Sequence, residues 1–295
     1  MSTSTLELAT ASLPARPGAP FALRLGRYPR ILVGAGFILL LSLAALLAPV
    51  LAPYNPVDTH PALAYRPPGA AFLLGTDNLG RDVISRVIWG ARVSLQVGFI
   101  SVTIGLVVGA TLGILAGYRG GWTDTLLMRF IDALLAFPAI LLAIAITSAL
   151  GPKLENAVIA IGVVNIPIFA RLARGQVLQV RGAEYVQAAR VAGGRAWRIV
   201  FRHVVPNIAN PLIVQATLTI ALAILAEATL SFLGLGTQPP TPSWGFDLNV
   251  ARGYLVNNFW WMAIGPGTAI LLTVMCFNFL GDAIRDALDP RLRQR

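Results

Sequence analysis

The chemistry open to this chain is bounded by the residues it holds few of. Its one cysteine, Cys276, lies inside an apolar run, so the chain has neither a disulfide framework nor a thiolate metal cluster. The two histidines, His60 and His203, both fall outside the apolar runs. That leaves no pair at metal-ligand spacing and no Ser-His arrangement inside a membrane span. The only lysine, Lys153, stands in Gly151-Pro-Lys-Leu, so the phosphate-cradling loop Gly-x-x-x-x-Gly-Lys-Ser/Thr is absent. If nucleotide hydrolysis drives this protein, another chain performs it. Two features remain. Glu227 is the one acid deep in an apolar run, where a carboxylate is costly unless partnered. That marks it as a possible pathway residue, and a helix-helix hydrogen bond explains it equally well. Seven arginines (Arg171, Arg174, Arg181, Arg190, Arg195, Arg198 and Arg202) surround the stretch Glu184-Tyr-Val-Gln-Ala-Ala-Arg-Val-Ala-Gly193 between two apolar runs.

A membrane must position these groups. Of the 295 residues 56% are hydrophobic and 12% charged, with mean hydropathy +0.71, whereas soluble domains carry roughly a quarter charged residues. The composition implies an all-α integral membrane protein. A net charge of +10 raises nucleic acid as a partner. The arginines adjoin apolar spans instead of alternating with aromatics on one polar face, which argues for membrane lipid and against nucleic acid.

A helix needs about 20 apolar residues to cross the hydrocarbon layer. Five runs reach that length, at 31–51, 93–116, 130–150, 211–233 and 260–280. A sixth, 157–173, is short and contains Arg171, which can snorkel to the interface. With six crossings and both termini inside, 17 of the 23 basic residues fall on cytoplasmic segments, as the positive-inside bias requires. Dropping the sixth run would turn the densest arginine cluster outward. Residues 1–25 are expected to form a disordered cytoplasmic N-terminus and 26–295 the transmembrane domain. The first apolar run has 21 residues, too long for a signal-peptide core, so it reads as an uncleaved helix.

Two long outer loops separate the spans. The first, 52–92, is proline-rich and contains Gly75-Thr-Asp-Asn-Leu-Gly-Arg-Asp82. After it, the spacing of Val83, Ile84, Val87, Ile88 and Ala91 opposite Arg86 predicts a separate amphipathic helix on the outer surface. The second, 234–259, carries Gln238-Pro-Pro-Thr-Pro-Ser-Trp-Gly245 and leads to Trp260 and Trp261, which suit the headgroup belt. Within the spans, Ser101, Gly105, Gly109, Gly113 and Gly117 recur every four residues and predict a helix-packing seam. Pro138 and Pro167 predict bends. Asp132, three residues after Arg129, predicts an ion pair between the two.

The arginine-rich loop, 181–206, resolves into two short helices. Gly182 to Ala192 is alanine-rich, with Glu184 in the first turn and Arg190 in the last, both suited to the macrodipole. Gly193 and Gly194 end it and form a hinge. A second helix follows with Trp197, Val200, Phe201 and Val204 on one face and Arg195, Arg198 and Arg202 on the other, until Pro206 stops it.

The run Gln187-Ala-Ala-Arg-Val-Ala-Gly193, with His203-Val-Val-Pro206 after it, resembles the Glu-Ala-Ala loop of permease subunits in bacterial binding-protein-dependent ABC importers. Within that group the chain is similar to the C-type permeases of dipeptide and oligopeptide importers, relatives of nickel, glutathione and opine permeases. The pieces that carry this are Gly75 to Asp82, Ala226-Glu-Ala-Thr-Leu-Ser-Phe-Leu-Gly-Leu-Gly236, Pro239 to Gly245 and the tail Leu280 to Arg293. The resemblance implies a type I importer permease fold and a non-catalytic subunit of the bacterial inner membrane. It also implies that Glu184, Tyr185, Gln187, Ala188, Ala189, Arg190, Gly193 and Pro206 form a coupling site for an ATPase. The implied partners are two ATPase subunits carrying ATP-Mg, a second, B-type permease and an extracytoplasmic solute-binding protein. Gln187 stands where the family carries glutamate. A secondary transporter is the remote alternative, for which Glu227 alone is available as a coupling-ion ligand.

Overall fold

The computed structural model describes residues 29–288, with side chains from residue 34 onward. The expected disordered segment 1–25 and the end of the tail motif lie outside the described residues. Among the described residues every regular element is helical, apart from an isolated bridge between Thr76 and Asp82. In chain order the α-helices are α1 (Pro29–Leu46), α2 (Ala48–Leu51), α3 (Val83–Arg119), α4 (Gly121–Leu135), α5 (Ala139–Leu150), α6 (Leu154–Val180), α7 (Glu184–Val191), α8 (Ala196–Ile199), α9 (Val205–Phe232), α10 (Trp244–Arg252) and α11 (Trp261–Leu288).

Four helices are long and apolar enough to cross a membrane: α3, α6, the continuous stretch Ala196–Phe232 and α11. The expected span 130–150 is broken: α4 and α5 meet at 88° and pass the length test only as a pair. Pro138 is the cause, since it has no N–H to continue the ladder and serves instead as N-cap of α5. Within α1 the stretch described with its side chains, Gly34–Leu46, does not by itself reach the length of a full crossing. The described helices thus give four or five spans where the sequence predicts six.

The outer amphipathic helix is not a separate element. Asp82 caps α3 by accepting from the Ser85 amide at 2.9 Å, and the helix runs on for 37 residues to Arg119. The weakest predicted span, 157–173, lies within the 27-residue α6. Arg171 does not snorkel alone there, because it pairs with Asp132 at 2.7 Å. That pairing replaces the expected Arg129 partner. The next turn of α6 repeats the pattern, with Arg174 donating to both oxygens of Asp124 at 2.5 and 2.7 Å. Hydrogen bonding to this guanidinium also draws Arg174 and Asp124 together across two elements.

The small-residue strip of α3 faces α6. A Cβ added at Gly105 would lie 2.7 Å from the Asn165 Cβ, and one at Gly117 would lie 3.0 Å from the Val177 Cβ. At Gly109 and Gly113 it would strike the carbonyl oxygens of Ile166 and Ala170. Ser101, fully buried, bonds back to the Val97 carbonyl at 2.6 Å, so its hydroxyl leaves no unmet donor at the contact. Backbones approach this closely where lipid supplies no hydrophobic drive. Gly113→Val is expected to cost about 1–3 kcal/mol, because the Ala170 backbone cannot yield. A lower unfolding midpoint in detergent checks this, with Gly175→Val, which has open space around it, as the unchanged control.

Candidate functional site

The arginine-rich loop folds as a docked helix. Glu184 occupies the first turn of α7 and Arg190 the last, with Ala183 as N-cap. At its end the Gly193 amide donates to Arg190 O and the Gly194 amide to Ala189 O, both at 3.0 Å. This pattern closes the helix with its C′ residue in the left-handed region, and Gly193 has φ +75°. Gly194 is pinned as well, since a Cβ there would lie 2.7 Å from Ala189 O and 3.2 Å from Ile199. The double glycine thus closes α7 and turns the chain into α8.

Four features hold α7 near the Arg119 end of α3. Val186 is fully buried. The Arg190 guanidinium lies 5.0 Å from the Tyr118 ring centre, a cation–π distance. Arg181 Nη1 donates to Gly117 O at 2.8 Å, satisfying a carbonyl that the helix end leaves free. Tyr185 faces His203 with ring centres 6.5 Å apart. The rest of α7 is open: Glu184, Tyr185, Gln187, Ala188 and Arg190 are exposed and Ala189 is half-buried. Gln187 Nε2 donates to Gly182 O at 3.0 Å, bracing the helix start. The site is thus a short rod fastened on one side and bare on the other.

Pro206 does not stop the second helix. The turn Val200–Val204 is a π-turn, with the Val205 amide donating to Val200 O, and the widened turn relieves the clash that a proline ring makes with the carbonyl four residues back. Pro206 then sits in the first turn of α9, where no donor is needed. Of the predicted apolar face, Val204 is buried and Val200 half-buried, whereas Trp197 and Phe201 are exposed.

At the other end of α3 the two loops 52–92 and 234–259 are bound together. Arg86, 2% exposed, donates from Nε and Nη2 to Asp247 Oδ1 at 3.0 and 2.5 Å, and from Nη1 to Pro56 O at 3.0 Å. Burial pushes the Asp247 carboxyl above its ordinary range, and the adjacent Arg86 charge opposes that shift. Trp244 Nε1 donates to Val87 O at 2.8 Å, and its ring fills the space that a side chain at Gly90 would take. Trp261, expected at the headgroup belt, is instead buried, with Nε1 donating to Thr76 O at 3.1 Å. Trp260 remains exposed.

Glu227 is fully buried on α9. Its Oε1 accepts from Ser231 at 2.7 Å, Ser243 at 3.0 Å and Thr237 at 3.4 Å, and its Oε2 accepts from Ser94 at 3.4 Å. One carboxyl therefore ties α9, α3 and the loop 234–259 together. Glu227→Gln is expected to keep this arrangement, since an amide can accept from the loop hydroxyls and donate to Ser94. Glu227→Ala strands the hydroxyls and is expected to cost about 2–3 kcal/mol in detergent unfolding. If both variants lose uptake equally with unchanged stability, the carboxyl acts in transport and not as a clamp.

Sequence reasoning missed Asp247 and Ser94, whose partners lie 161 and 133 residues away, and Thr237 and Ser243, which reach Glu227 only because the loop after α9 folds back on it. Asp247 carried the one readable signal: an acid beside Trp244 and Phe246 in a loop next to apolar spans needs a counter-charge.

Comparison with known proteins follows this architecture. A family model described as "Binding-protein-dependent transport system inner membrane component" matches residues 109–294. A second, "N-terminal TM domain of oligopeptide transport permease C", matches residues 21–68. The dipeptide transport system permease protein of Alkalihalophilus pseudofirmus is 47% identical over 262 residues, covering 89% of this chain and 86% of the relative. The di/tripeptide permease protein of Pseudomonas aeruginosa is 48% identical over 266 residues, covering 88% of each. The glutathione permease protein of Pectobacterium atrosepticum is 46% identical over 268 residues, covering 89% and 88%. Among solved structures, an inward-facing MetNI methionine ABC transporter chain gives a TM-score of 0.55 at 19% identity, covering 69% of this chain and 96% of that one. An all-helical fold with that likeness, a docked arginine-flanked helix and these matches together place the chain in the family of binding-protein-dependent transport system inner membrane components, among its dipeptide and oligopeptide permeases.

Proposed function

We propose that this chain is the permease subunit of an ATP-driven importer, forming half of a translocation pathway for di- and oligopeptides delivered by an extracytoplasmic solute-binding protein. It pairs with a second permease of the B type, and two ATPase subunits, which carry ATP-Mg, supply the work. Both termini and α7 face the cytoplasm, and α1 counts as the first of six crossings. The observation that carries this reading is the seating of α7: small side chains on its bare side, and Arg190 and Arg181 fastening it to the inner end of α3.

The geometry supplies a mechanical path. An ATPase groove that receives Ala188 and Ala189 can approach the helix closely, because neither side chain holds it off. When the ATPase pair closes, force on α7 passes through Tyr118 and Gly117 into α3. That helix is about 55 Å long at 1.5 Å per residue, and the glycine seam makes it move with α6. Its outer end carries Arg86, so displacement reaches the outer loops through the Asp247 pair and Trp244. Exchange between two rigid packings of this kind opens the pathway to each side in turn.

Relatives named for dipeptide, di/tripeptide and glutathione transport support a peptide or peptide-like cargo. Proteoliposomes holding both permeases, with and without the ATPases and binding protein, test the function. Labelled dipeptide uptake is expected to require ATP and every component. Uptake by the permeases alone would overturn the assignment in favour of a secondary transporter.

A further inference from the structure

The return limb of the arginine-rich loop, residues 196–204, carries apolar side chains that the path just described does not use. Two contacts fix how the limb lies against α7. Tyr185 faces His203, and a Cβ at Gly194 would touch both Ala189 O and Ile199. The limb and α7 therefore form an antiparallel hairpin about the double glycine. In that register Val191 stands opposite Trp197, and Gln187 opposite Phe201. Ile199 and Val204 are buried, so the limb is packed down along its length and is not a loose tail. It then runs without a break into α9, as the continuous stretch Ala196–Phe232.

The open surface of the hairpin is apolar and basic at once. Val191 is 89% exposed, Phe201 69% and Trp197 59%. Arg195, Arg198 and Arg202 stand among them, all exposed, and none belongs to an ion pair among the described residues. The Arg198 guanidinium lies 5.8 Å from the Trp197 ring centre, a cation–π distance that props the indole in place. From Gly182 to Pro206 the only acid is Glu184, against four arginines. Large apolar groups exposed together within a polar rim mark contact with another molecule, and Trp and Arg are the residue types that dominate protein interfaces. This surface adjoins the bare side of α7, since Phe201 stands opposite Gln187. Whatever covers one is within reach of the other, and the arginines select an occupant whose own surface is negative.

We propose that the return limb is a second contact for the ATPase subunit: Trp197 and Phe201 enter an apolar hollow on it, ringed by carboxylates that meet Arg195, Arg198 and Arg202. This rests on the docking of α7 proposed above and names the chemistry of the ATPase surface that receives the hairpin. It also changes where the load goes. An ATPase that grips both limbs moves the hairpin as one body. Force on α7 reaches α3 through Tyr118, while force on Trp197 and Phe201 enters α9 directly along the continuous helix.

Inside-out vesicles that hold both permeases and are stripped of the ATPases test this with Phe201→Cys in a Cys276→Ser background. A membrane-impermeant maleimide is expected to label position 201, and restored ATPase subunits are expected to block the label. No labelling in the stripped vesicles, the result if lipid or the second permease covers this side chain, overturns the proposal. Labelling that the ATPases leave unblocked overturns it too. Gln187→Cys in the same vesicles reports on the docking of α7 alone. Protection at position 187 without protection at 201 removes the second contact and leaves the coupling reading standing, whereas protection at neither removes both. Trp197→Ala with Phe201→Ala, at two largely exposed positions, is expected to weaken ATPase binding to the vesicles by roughly 30-fold or more, as loss of a central aromatic anchor does. Replacing Arg195, Arg198 and Arg202 by Gln is expected to weaken it by up to about fivefold per arginine and to flatten its dependence on salt. Unchanged affinity in the double alanine variant, or an unchanged salt dependence without the arginines, contradicts the contact.

Discussion

Gly193→Val is expected to reduce ATP-driven uptake strongly while leaving the protein in the membrane at its normal level. The residue has φ +75°, a conformation in which an L side chain costs about 1–2 kcal/mol and a β-branched one more. A cost of that size lowers the ratio of correctly to incorrectly turned loop by about 5- to 30-fold. The damage falls on the closing turn of α7, where Gly193 and Gly194 donate to Arg190 and Ala189. Once the turn is lost, Arg190 no longer holds its place over Tyr118, and work done on α7 is not delivered to α3. No buried apolar residue is removed, since a Cβ at Gly193 meets nothing within 4 Å, so insertion and span packing should persist. Uptake assays and quantitation of the membrane fraction check the two halves separately. Loss of the protein from the membrane would mean that the turn serves folding and not coupling.

The second large effect is at the other end of α3. Asp247→Ala leaves the Arg86 guanidinium buried without its counter-charge, and breaking a buried pair from one side costs about 3–5 kcal/mol. Arg86→Ala is expected to be similarly severe, because Arg86 also satisfies Pro56 O. The double replacement Arg86→Leu with Asp247→Leu should recover much of the loss, since apolar substitution of both partners removes the stranded charge. Unfolding midpoints of the two single variants and the double variant form a cycle that isolates the pair energy. Stable single variants that cannot transport would instead make the pair a moving contact in the transport cycle.

How far the sequence could be read depends on whether the relevant signal is local. The ends of α7, the apolar core of α6 and the glycine strip of α3 are written in spacing of three or four residues, and all three are visible without a structure. At the prolines one expectation holds and one fails: the bend at Pro138 is present and the stop at Pro206 is not. Pro138 corners the chain, whereas Pro206 is accommodated by a π-turn and Pro167 stays within the continuous helix α6. Nothing in the flanking residues separates these cases, because the choice is made by packing against other helices. Arg86 reads as an outward charge on an amphipathic stretch since its partner is 161 residues away. Asp132 likewise has a plausible neighbour in Arg129 but takes Arg171 across the helix boundary. Glu227 was singled out by its cost, and only the structure supplies the four hydroxyls that meet it.

The most direct test concerns the bare face of α7. With Gln187→Cys in a Cys276→Ser background, a membrane-impermeant maleimide should fail to label intact cells. It should label inside-out vesicles stripped of the ATPase subunits, and the label should be lost when those subunits are restored. Labelling of position 187 from outside intact cells would contradict the account, and so would labelling that the ATPases do not block.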